Sequence, residues 1–202
     1  MAILALDTET NGLPLWDRPF TDPGQPRLLQ LGLVLAEEDG TERASVSLLI
    51  RPNGWGITPG ALAIHGITEE MASAYGVPVL EALAIFLRLL DQADTLVCHN
   101  ESFDAGIIIN REVHAVAPNR DDCRSWWARS RLRRPCTMLL GQAAMNVPRW
   151  PKLADLYEWI TGSPLKQKHD ALDDARAALT CYLGLRARGA AGIDVNARRS
   201  QP

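Results

Sequence analysis

The chain has 202 residues and a mass of 22.2 kDa, a length typical of one domain. Hydrophobic residues make up 47% and charged residues 22%, and this ordinary globular composition excludes an intrinsically disordered chain. Basic residues number 21 against 24 acidic ones, so the formal net charge of -3 argues at first sight against a nucleic-acid-binding protein.

Cysteine usage and apolar segments predict a cytoplasmic protein without membrane association. The N-terminal apolar run lacks a positive flank and is too short for a signal peptide. The most apolar helix-like stretch, Val79–Leu90, contains Glu81 and Arg88 and is too short to span a bilayer. The cysteines show neither a zinc spacing nor a dense disulfide framework, which predicts four reduced thiols. They are Cys98, Cys123, Cys136 and Cys181.

The first third of the chain reads as a strand, a loop and a hairpin. Ala2–Leu6 is apolar without alternation, as in a strand buried on both faces. Residues 10–27 are rich in Gly and Pro and predict a surface loop. Two apolar-rich runs, Leu28–Glu37 and Thr41–Arg51, flank Asp39-Gly40, which predicts a β-hairpin.

The rest of the chain interleaves helices with one more strand. Val79–Leu90 predicts a helix, Thr95–Cys98 a short strand, and Ser102 an N-cap for the helix after it. Lys152–Ile160 and Ala171–Arg188 predict two further helices. The predicted buried face of the Val79–Leu90 helix comprises Leu80, Leu83, Ala84, Leu87 and Leu90. This pattern indicates an α/β domain with a mixed sheet over residues 1–188, followed by a loose tail over 189–202.

Carboxylates follow the predicted elements at three places. Asp7 and Glu9 end the first strand and share one face, where open α/β sheets place their sites, although a solvated turn is the alternative. Asp104 lies in the first turn of a helix on an apolar face, as a ligand or as a capping acid. Asp174 points inward from the last helix, whereas Asp173 lies on its polar face.

Four inward carboxylates in one pocket must protonate or bind cations. All-oxygen ligation suits Mg²⁺ or Mn²⁺, and a carboxylate cage with open positions suits two-metal phosphoryl chemistry. A histidine beside such a cage is a natural general base for a water molecule. The constellation therefore predicts a metal-dependent phosphodiesterase.

Three ordered motifs resemble those of the DEDDh 3′→5′ exonucleases, which include proofreading exonuclease subunits, RNase T and oligoribonuclease. The motifs are Asp7-Thr8-Glu9-Thr10-Asn11-Gly12-Leu13, His99-Asn100-x-x-Phe103-Asp104 and His169-x-Ala171-Leu172-x-Asp174-Ala175. The supporting segments are Ile64–Thr68, Cys136–Met138 and Trp150–Leu153. Together they cover residues 1 to about 188, and three motifs in this order are far more specific than any one of them.

The resemblance implies an RNase H-like fold, a mixed five-stranded sheet flanked by helices in a single domain. It also implies two Mg²⁺ ions, for which Mn²⁺ can substitute. Asp7, Glu9 and Asp174 would hold one ion, and Asp7 would bridge to the second with help from Asp104. His169 would deprotonate the attacking water.

The resemblance further implies a set of substrate-binding residues around the terminal nucleotide and its 3′-OH. These are Thr8, Thr10, Asn11, Leu13, His65, Asn100 and Phe103. For His65, a hydrogen-bonded structural histidine is an equal alternative.

The distribution of charge removes the initial objection to a nucleic-acid partner. The four proposed ligands contribute −4, so their acidity serves the metals. Residues 111–134 hold seven Arg against three acids and include Trp126 and Trp127, a composition typical of a single-stranded nucleic-acid track. A solvated helix with inward-facing Trp side chains is the alternative.

These observations predict a cytoplasmic exonuclease that trims single-stranded DNA or frayed 3′ ends and releases nucleoside 5′-monophosphates. The same chemistry on RNA is the nearest alternative, and a non-enzymatic nucleic-acid-binding adapter on this fold is a third. Homodimer formation and association with a polymerase are left open by the sequence.

Overall fold

A mixed four-stranded sheet forms the centre of the protein. The computed structural model describes residues 2–117 and 132–190. The strands are β1 (Ala2–Thr10), β2 (Leu28–Glu37), β3 (Glu42–Leu49) and β4 (Thr95–Val97), in the order β3-β2-β1-β4. β2 runs antiparallel to both β1 and β3, whereas β4 runs parallel to β1. The predicted hairpin and the mixed sheet are confirmed.

The predicted fifth strand is wrong for the described part of the chain. A segment from Arg133 to Cys136 runs parallel to β4 but makes only isolated bridges. Arg133 N–H donates to the Asp94 carbonyl at 3.0 Å, and Leu96 N–H donates to the Arg133 carbonyl at 2.8 Å. The next donor in this ladder would be residue 135, which is a proline and has no N–H. The ladder is therefore interrupted at Pro135, and it resumes only where Thr137 N–H donates to the Cys98 carbonyl at 3.0 Å.

The helices of the first half comprise three separate elements and one composite segment. The separate helices are α1 (Pro59–His65), α2 (Glu69–Tyr75) and α3 (Val79–Leu90). The composite segment consists of α4 (Glu101–Phe103), a π-helical turn (Asp104–Ile109) and α5 (Asn110–Val116). Because this segment begins at Glu101 after Asn100, Ser102 lies inside the helix, and its predicted role as N-cap is wrong.

Three helices follow in the second half, and two of them agree with the predicted ranges to within a residue. They are α6 (Thr137–Met145), α7 (Leu153–Thr161) and α8 (Ala171–Ala187). The predicted face of α3 needs correction, because Leu80 is 62% exposed while Phe86 is fully buried. Leu83 and Leu90 are buried as predicted, but Ala82 and Phe86 complete the buried face, which is therefore rotated about the helix axis from the predicted one.

The two faces of the sheet carry two separate hydrophobic clusters. Leu4 and Leu6 of β1 pack with α3 and the composite segment, whereas Ile3 and Ala5 pack with α6, α7 and α8. Since side chains alternate along a strand, Thr8 continues the first face. Asp7 and Glu9 continue the second face, toward α8.

Three of the four predicted thiols lie in the described part of the chain. Cys98, Cys136 and Cys181 are buried free thiols, whereas Cys123 lies outside the described residues. Across residues 2–117 and 132–190, the helices are all too short or too polar to cross a lipid bilayer. Most of the predicted C-terminal tail, residues 191–202, also lies outside the described range.

Candidate active site

Two of the predicted carboxylates stand at the end of β1, where its ladder with β2 is about to change register. Asp7 pairs with Gly32 and Glu9 with Gln30, and the register shifts between Glu9 and Thr10. Such a bulge re-aims the chain at the end of a strand. It therefore ends the regular pairing directly after the two acids.

Residues of β2 bring the start of α8 against these acids. A Cβ atom at Gly32 would lie 2.1 Å from the backbone carbonyl of Ala171, so only glycine permits this approach. The Gln30 amide clamps the same turn, because it donates to Asp170 Oδ2 at 2.8 Å and its oxygen accepts from Ala171 N–H at 3.1 Å. The other Asp170 oxygen caps the helix by accepting from the N–H groups of Leu172 and Asp173.

Glu9, His169 and Asp174 form a cluster suited to a metal ion. One ligand atom from each lies within 4.8 Å of the other two. His169 directly precedes the N-cap and has a φ of 51°, in the left-handed region. Asp174 Oδ2 accepts a hydrogen bond from Gln167 Nε2 at 2.9 Å. Within the described residues, the buried Asp174 Oδ1 has no hydrogen-bond partner, which leaves a carboxylate oxygen for a cation.

Asp104 reaches the site from the opposite face of the sheet. It opens the π-helical turn and is 3% exposed. Thr8 Oγ1 donates to Asp104 Oδ1 at 2.7 Å, so the side chain that β1 points to this face holds the carboxylate. The structure thus brings four carboxylates to one end of β1. Asp104 comes from one face of the sheet, and Asp7, Glu9 and Asp174 come from the other.

Electrostatics in the cluster favour binding of a cation. Burial, followed by repulsion from the neighbouring carboxylates, raises the pKa of Asp7 well above its usual value and that of Glu9 to about 8. Burial raises the pKa of Asp104 to about 7, although the Thr8 hydrogen bond opposes the shift. Burial also raises the pKa of Asp174 against the opposing effects of Gln167 and His169. Carboxylate oxygens are the ligands of hard divalent ions, so these residues fit a divalent metal.

The predicted substrate-binding residues of the first motif divide into braced and exposed side chains. Thr10 is buried and its hydroxyl donates to the Gly12 carbonyl at 2.8 Å. Asn11 braces the surrounding loops, because its Oδ1 accepts from Arg27 N–H and its Nδ2 donates to the Gly56 carbonyl. Leu13, by contrast, is 82% exposed beside the site.

His65 has the geometry of a hydrogen-bonded structural histidine. Its Nδ1 accepts from Ile67 N–H at 3.0 Å, which leaves Nε2 to donate to the Thr10 carbonyl at 3.2 Å. Burial lowers its pKa. The ring is nevertheless held at the end of β1, near the carboxylates that follow the same strand.

The second motif contributes an aromatic pair that was not predicted from the sequence. Asn100 immediately precedes α4, and its carbonyl accepts from Phe103 N–H at 2.9 Å and from Asp104 N–H at 3.1 Å. The Phe103 ring lies 6.3 Å from the ring of Trp16, which is 61% exposed on the loop after β1. An exposed aromatic side chain in a Pro-rich loop is the signal that could have identified Trp16.

One further polar residue of the site, Gln167, was missed, and His99 of the second motif has a structural role. Gln167 lies two positions before His169, and its bond to Asp174 could have been sought because a buried carboxylate needs a donor. His99 lies between Thr137 Oγ1 at 3.0 Å and the Pro151 carbonyl at 3.2 Å. Burial lowers the pKa of His99 to about 4, so it is a neutral structural link rather than a proton acceptor.

Most of the predicted basic track lies outside the described residues. This applies to Arg120, Arg124, Arg129, Arg131, Trp126 and Trp127. Of the described members, Arg111 donates to the carbonyls of Pro23 and Gln25, and Arg134 pairs with Glu101.

Comparisons with solved structures agree with this fold. Exonuclease I of E. coli in complex with a dA16 oligonucleotide has a TM-score of 0.72 at 18% identity, over 95% of this chain and 42% of that chain. A zinc-bound complex of E. coli exonuclease I with single-stranded DNA has a TM-score of 0.70 at 19% identity, over 93% and 40%. This chain thus spans less than half of the exonuclease I chain.

A shorter structural relative is a 3′-exonuclease described in specific recognition of the 3′ end of a histone mRNA stem-loop. Its TM-score is 0.69 at 15% identity, over 94% of this chain and 83% of that chain. Curated protein sequences give no match. The family model described as Exonuclease (RNase_T) matches residues 4–182, a range that includes every carboxylate of the site and His169. The chain therefore belongs to this exonuclease family, and its resemblance to the DEDDh 3′→5′ exonucleases is confirmed.

Proposed function

We propose that this domain hydrolyses the terminal phosphodiester of single-stranded DNA from the 3′ end and releases nucleoside 5′-monophosphates. The observation that carries the proposal is the convergence of Asp7, Glu9, Asp104 and Asp174 with His169 at one end of β1. These are the five residues expected of a DEDDh site. The family membership supports exonucleolytic hydrolysis as the reaction.

Each residue of the cluster has a distinct task in this proposal. Divalent ions held by the four carboxylates would stabilise charge on the attacking and leaving oxygens of the displacement. His169 takes the proton from the attacking water, a task that its exposed ring at the rim of the cluster permits. Thr8 and Gln167 hold Asp104 and Asp174 in place. Phe103 and Leu13 offer apolar surface to the terminal nucleotide.

RNA is the second candidate substrate. The 3′-exonuclease whose own chain is matched over 83% of its length recognises the 3′ end of a histone mRNA stem-loop. Single-stranded DNA is supported by the exonuclease I complexes. The distinction depends on how the sugar 2′ position is seated.

The test compares 5′-labelled DNA and RNA oligomers of equal length and sequence, with Mg²⁺, with Mn²⁺ and with EDTA. We expect a ladder of products shortened from the 3′ end, faster on DNA, and no cleavage with EDTA. Internal cuts or EDTA-resistant cleavage would contradict the proposal, and faster cleavage of RNA would move the substrate to the second candidate.

Replacing the proposed base separates an enzyme from a binding adapter. His169→Ala should lower the rate by about 10²–10⁴-fold while metal binding is largely retained, because general-base catalysis contributes on this scale. His114→Ala is the matched control, since His114 is an exposed histidine on α5 that packs edge-on against Phe20. Binding of the oligomer without cleavage by either variant or the wild type would argue for an adapter, and equal cleavage rates would exclude His169 as the base.

A further inference from the structure

A cavity lies beside the candidate active site, beneath the loop that follows β1. Its volume is about 400 Å³, within the range of sites that bind small organic ligands. Side chains of Asn11, Leu13, Arg27, Asn53, Trp55 and Arg111 contribute to its wall. The cavity is therefore large enough for about one nucleotide.

The wall of this cavity is basic in a chain that is acidic overall. It contains Arg27 and Arg111, and the described residues contribute no acidic side chain to it. Arg27 is neutralised, because its guanidinium pairs with both oxygens of Glu112 at 2.7 and 2.8 Å. Arg111 instead donates to the carbonyls of Gln25 and Pro23, each at 3.0 Å.

Arg111 carries a positive charge at the wall that no direct ion pair with a described residue neutralises. Burial and Arg27 lower its pKa, although the nearby carboxylates of Glu112 and Asp22 act to raise it. Its two hydrogen bonds use Nε and Nη2. Among the described residues, the N–H groups of Nη1 have no hydrogen-bond acceptor and are open to a ligand. A guanidinium is well suited to a phosphate oxygen.

Trp55 supplies an aromatic surface in the same cavity. It is half-buried, and the Arg27 guanidinium lies 5.7 Å from the centroid of its ring. The Glu112 pair fixes this arginine, so the indole is held by a rigid neighbour. A fixed indole in a basic cavity is the arrangement on which unpaired bases stack.

The location of the cavity identifies which nucleotide it would take. Asn11 and Leu13 form one wall and follow β1 directly, only two and four positions after Glu9. Leu13 is 82% exposed, so its apolar side chain lies open in the cavity wall on the segment that leads directly from the carboxylates of β1. A strand whose last nucleotide lies at the carboxylates would enter this cavity with its preceding nucleotide.

We propose that this cavity is the subsite for the nucleotide that precedes the 3′-terminal one, with its phosphate on Arg111 and its base on Trp55. This inference rests on the proposed exonuclease function. It explains how an acidic protein attracts a polyanion next to its own carboxylates.

The test uses two substrates that differ in the upstream nucleotide. A dT oligomer fills both subsites, whereas the p-nitrophenyl ester of thymidine 5′-monophosphate has the terminal nucleotide alone. We expect Trp55→Ala to raise KM for the oligomer about tenfold, given the usual strength of base stacking. Hydrolysis of the ester should change less than twofold. Trp55→Phe should restore most of the lost affinity, because it keeps an aromatic face.

Arg111→Gln tests the phosphate contact while keeping a donor for one loop carbonyl. We expect the dependence of log KM on log salt concentration to become shallower by about 0.7, the value for one phosphate contact on a single strand. The matched control is Arg188→Gln with Trp159→Ala, a second arginine–tryptophan pair with a 4.8 Å separation. It lies at the far end of α8, away from Asp174 and the cavity.

The outcomes separate the inference from the function on which it rests. Wild-type protein that cleaves neither substrate would overturn the exonuclease proposal. Wild-type cleavage of both substrates, with an unchanged KM and salt dependence in the Trp55 and Arg111 variants, would overturn the subsite alone. An equal loss on oligomer and ester in every variant, including Trp55→Phe and Arg111→Gln, would overturn it as well.

Discussion

Asp104 and Asp174 reach the same pocket from opposite faces of the sheet, and they are held in different ways. Asp104 receives its hydrogen bond from Thr8, a side chain of β1 itself. Asp174 receives its bond from Gln167, in the loop before α8, and its Oδ1 has no partner among the described residues. The sheet orients the first carboxylate, whereas the second is left partly open for a ligand.

The largest expected effect comes from neutralising each carboxylate in turn. Asp174→Asn and Asp104→Asn should each lower hydrolysis by about a thousandfold or more, since each removes a charge that compensates the metals. Only Asp174→Asn should weaken Mn²⁺ binding strongly, because Asp174 belongs to the close cluster with Glu9 and His169. Calorimetric titration with Mn²⁺ checks this difference, and equal losses of affinity would contradict it.

A second prediction concerns the contact between β2 and α8, which positions Asp174 but not Asp104. Gly32→Ala should displace α8, because the new Cβ would lie 2.1 Å from the Ala171 carbonyl. We expect a loss of about 1–3 kcal/mol in unfolding free energy and at least a tenfold loss of activity. Gly60→Ala is the control, since the space around Gly60 in α1 is open. The checks are the melting temperature and the rate of hydrolysis. Equal values for Gly32→Ala and Gly60→Ala would contradict the prediction.

A third prediction removes each supporting hydrogen bond separately. Thr8→Val should raise the pKa of Asp104 further, because the lost bond stabilises its ionised form. The acidic limb of the pH–rate profile should then move to higher pH. Gln167→Ala should instead weaken metal affinity by about 10–100-fold, the usual scale for outer partners of metal ligands. An unmoved acidic limb in Thr8→Val would show that the sheet does not tune Asp104.

The smallest effect is expected in the stability of the metal-free protein. Glu9 and Asp104 have folded-state pKa values of about 8 and about 7, above those of an unfolded chain. The folded state therefore binds more protons between about pH 4.5 and 8, and stability should fall as the pH rises through this window. With EDTA, the melting temperature should decrease by several degrees from pH 5 to pH 8. Glu9→Gln should flatten the slope, and Mg²⁺ should reverse it.

Local patterns were sufficient to predict the core strands and the inward direction of Asp174. The direction of a side chain on β1 or α8 follows from the period of the strand or the helix, which can be read from adjacent residues in the sequence. The prediction of a fifth strand failed because the pairing beside β4 is interrupted at Pro135, whose missing N–H matters only when its partner strand is known. The interpretation of Ser102 as an N-cap failed because α4 begins at Glu101, two residues before the position that a cap at Ser102 would give.

Long-range contacts explain the parts of the site that were missed. Gln30 contacts Asp170 across 140 positions, and Trp16 meets Phe103 across the loop after β1. Neither pair has a local signature, because each partner looks like an ordinary polar or loop residue by itself. The family motifs contain the carboxylates and Thr8, but they did not indicate that Thr8 binds Asp104 or that Gln167 binds Asp174.

The left-handed backbone of His169 limits how the site can be redesigned. At a φ of 51°, most side chains meet a steric penalty of about 1–2 kcal/mol, while Asn tolerates the conformation well. His169→Asn is therefore the substitution that removes the base with the least disturbance of the turn before α8. It is the variant of choice for trapping an uncleaved oligonucleotide for crystallography.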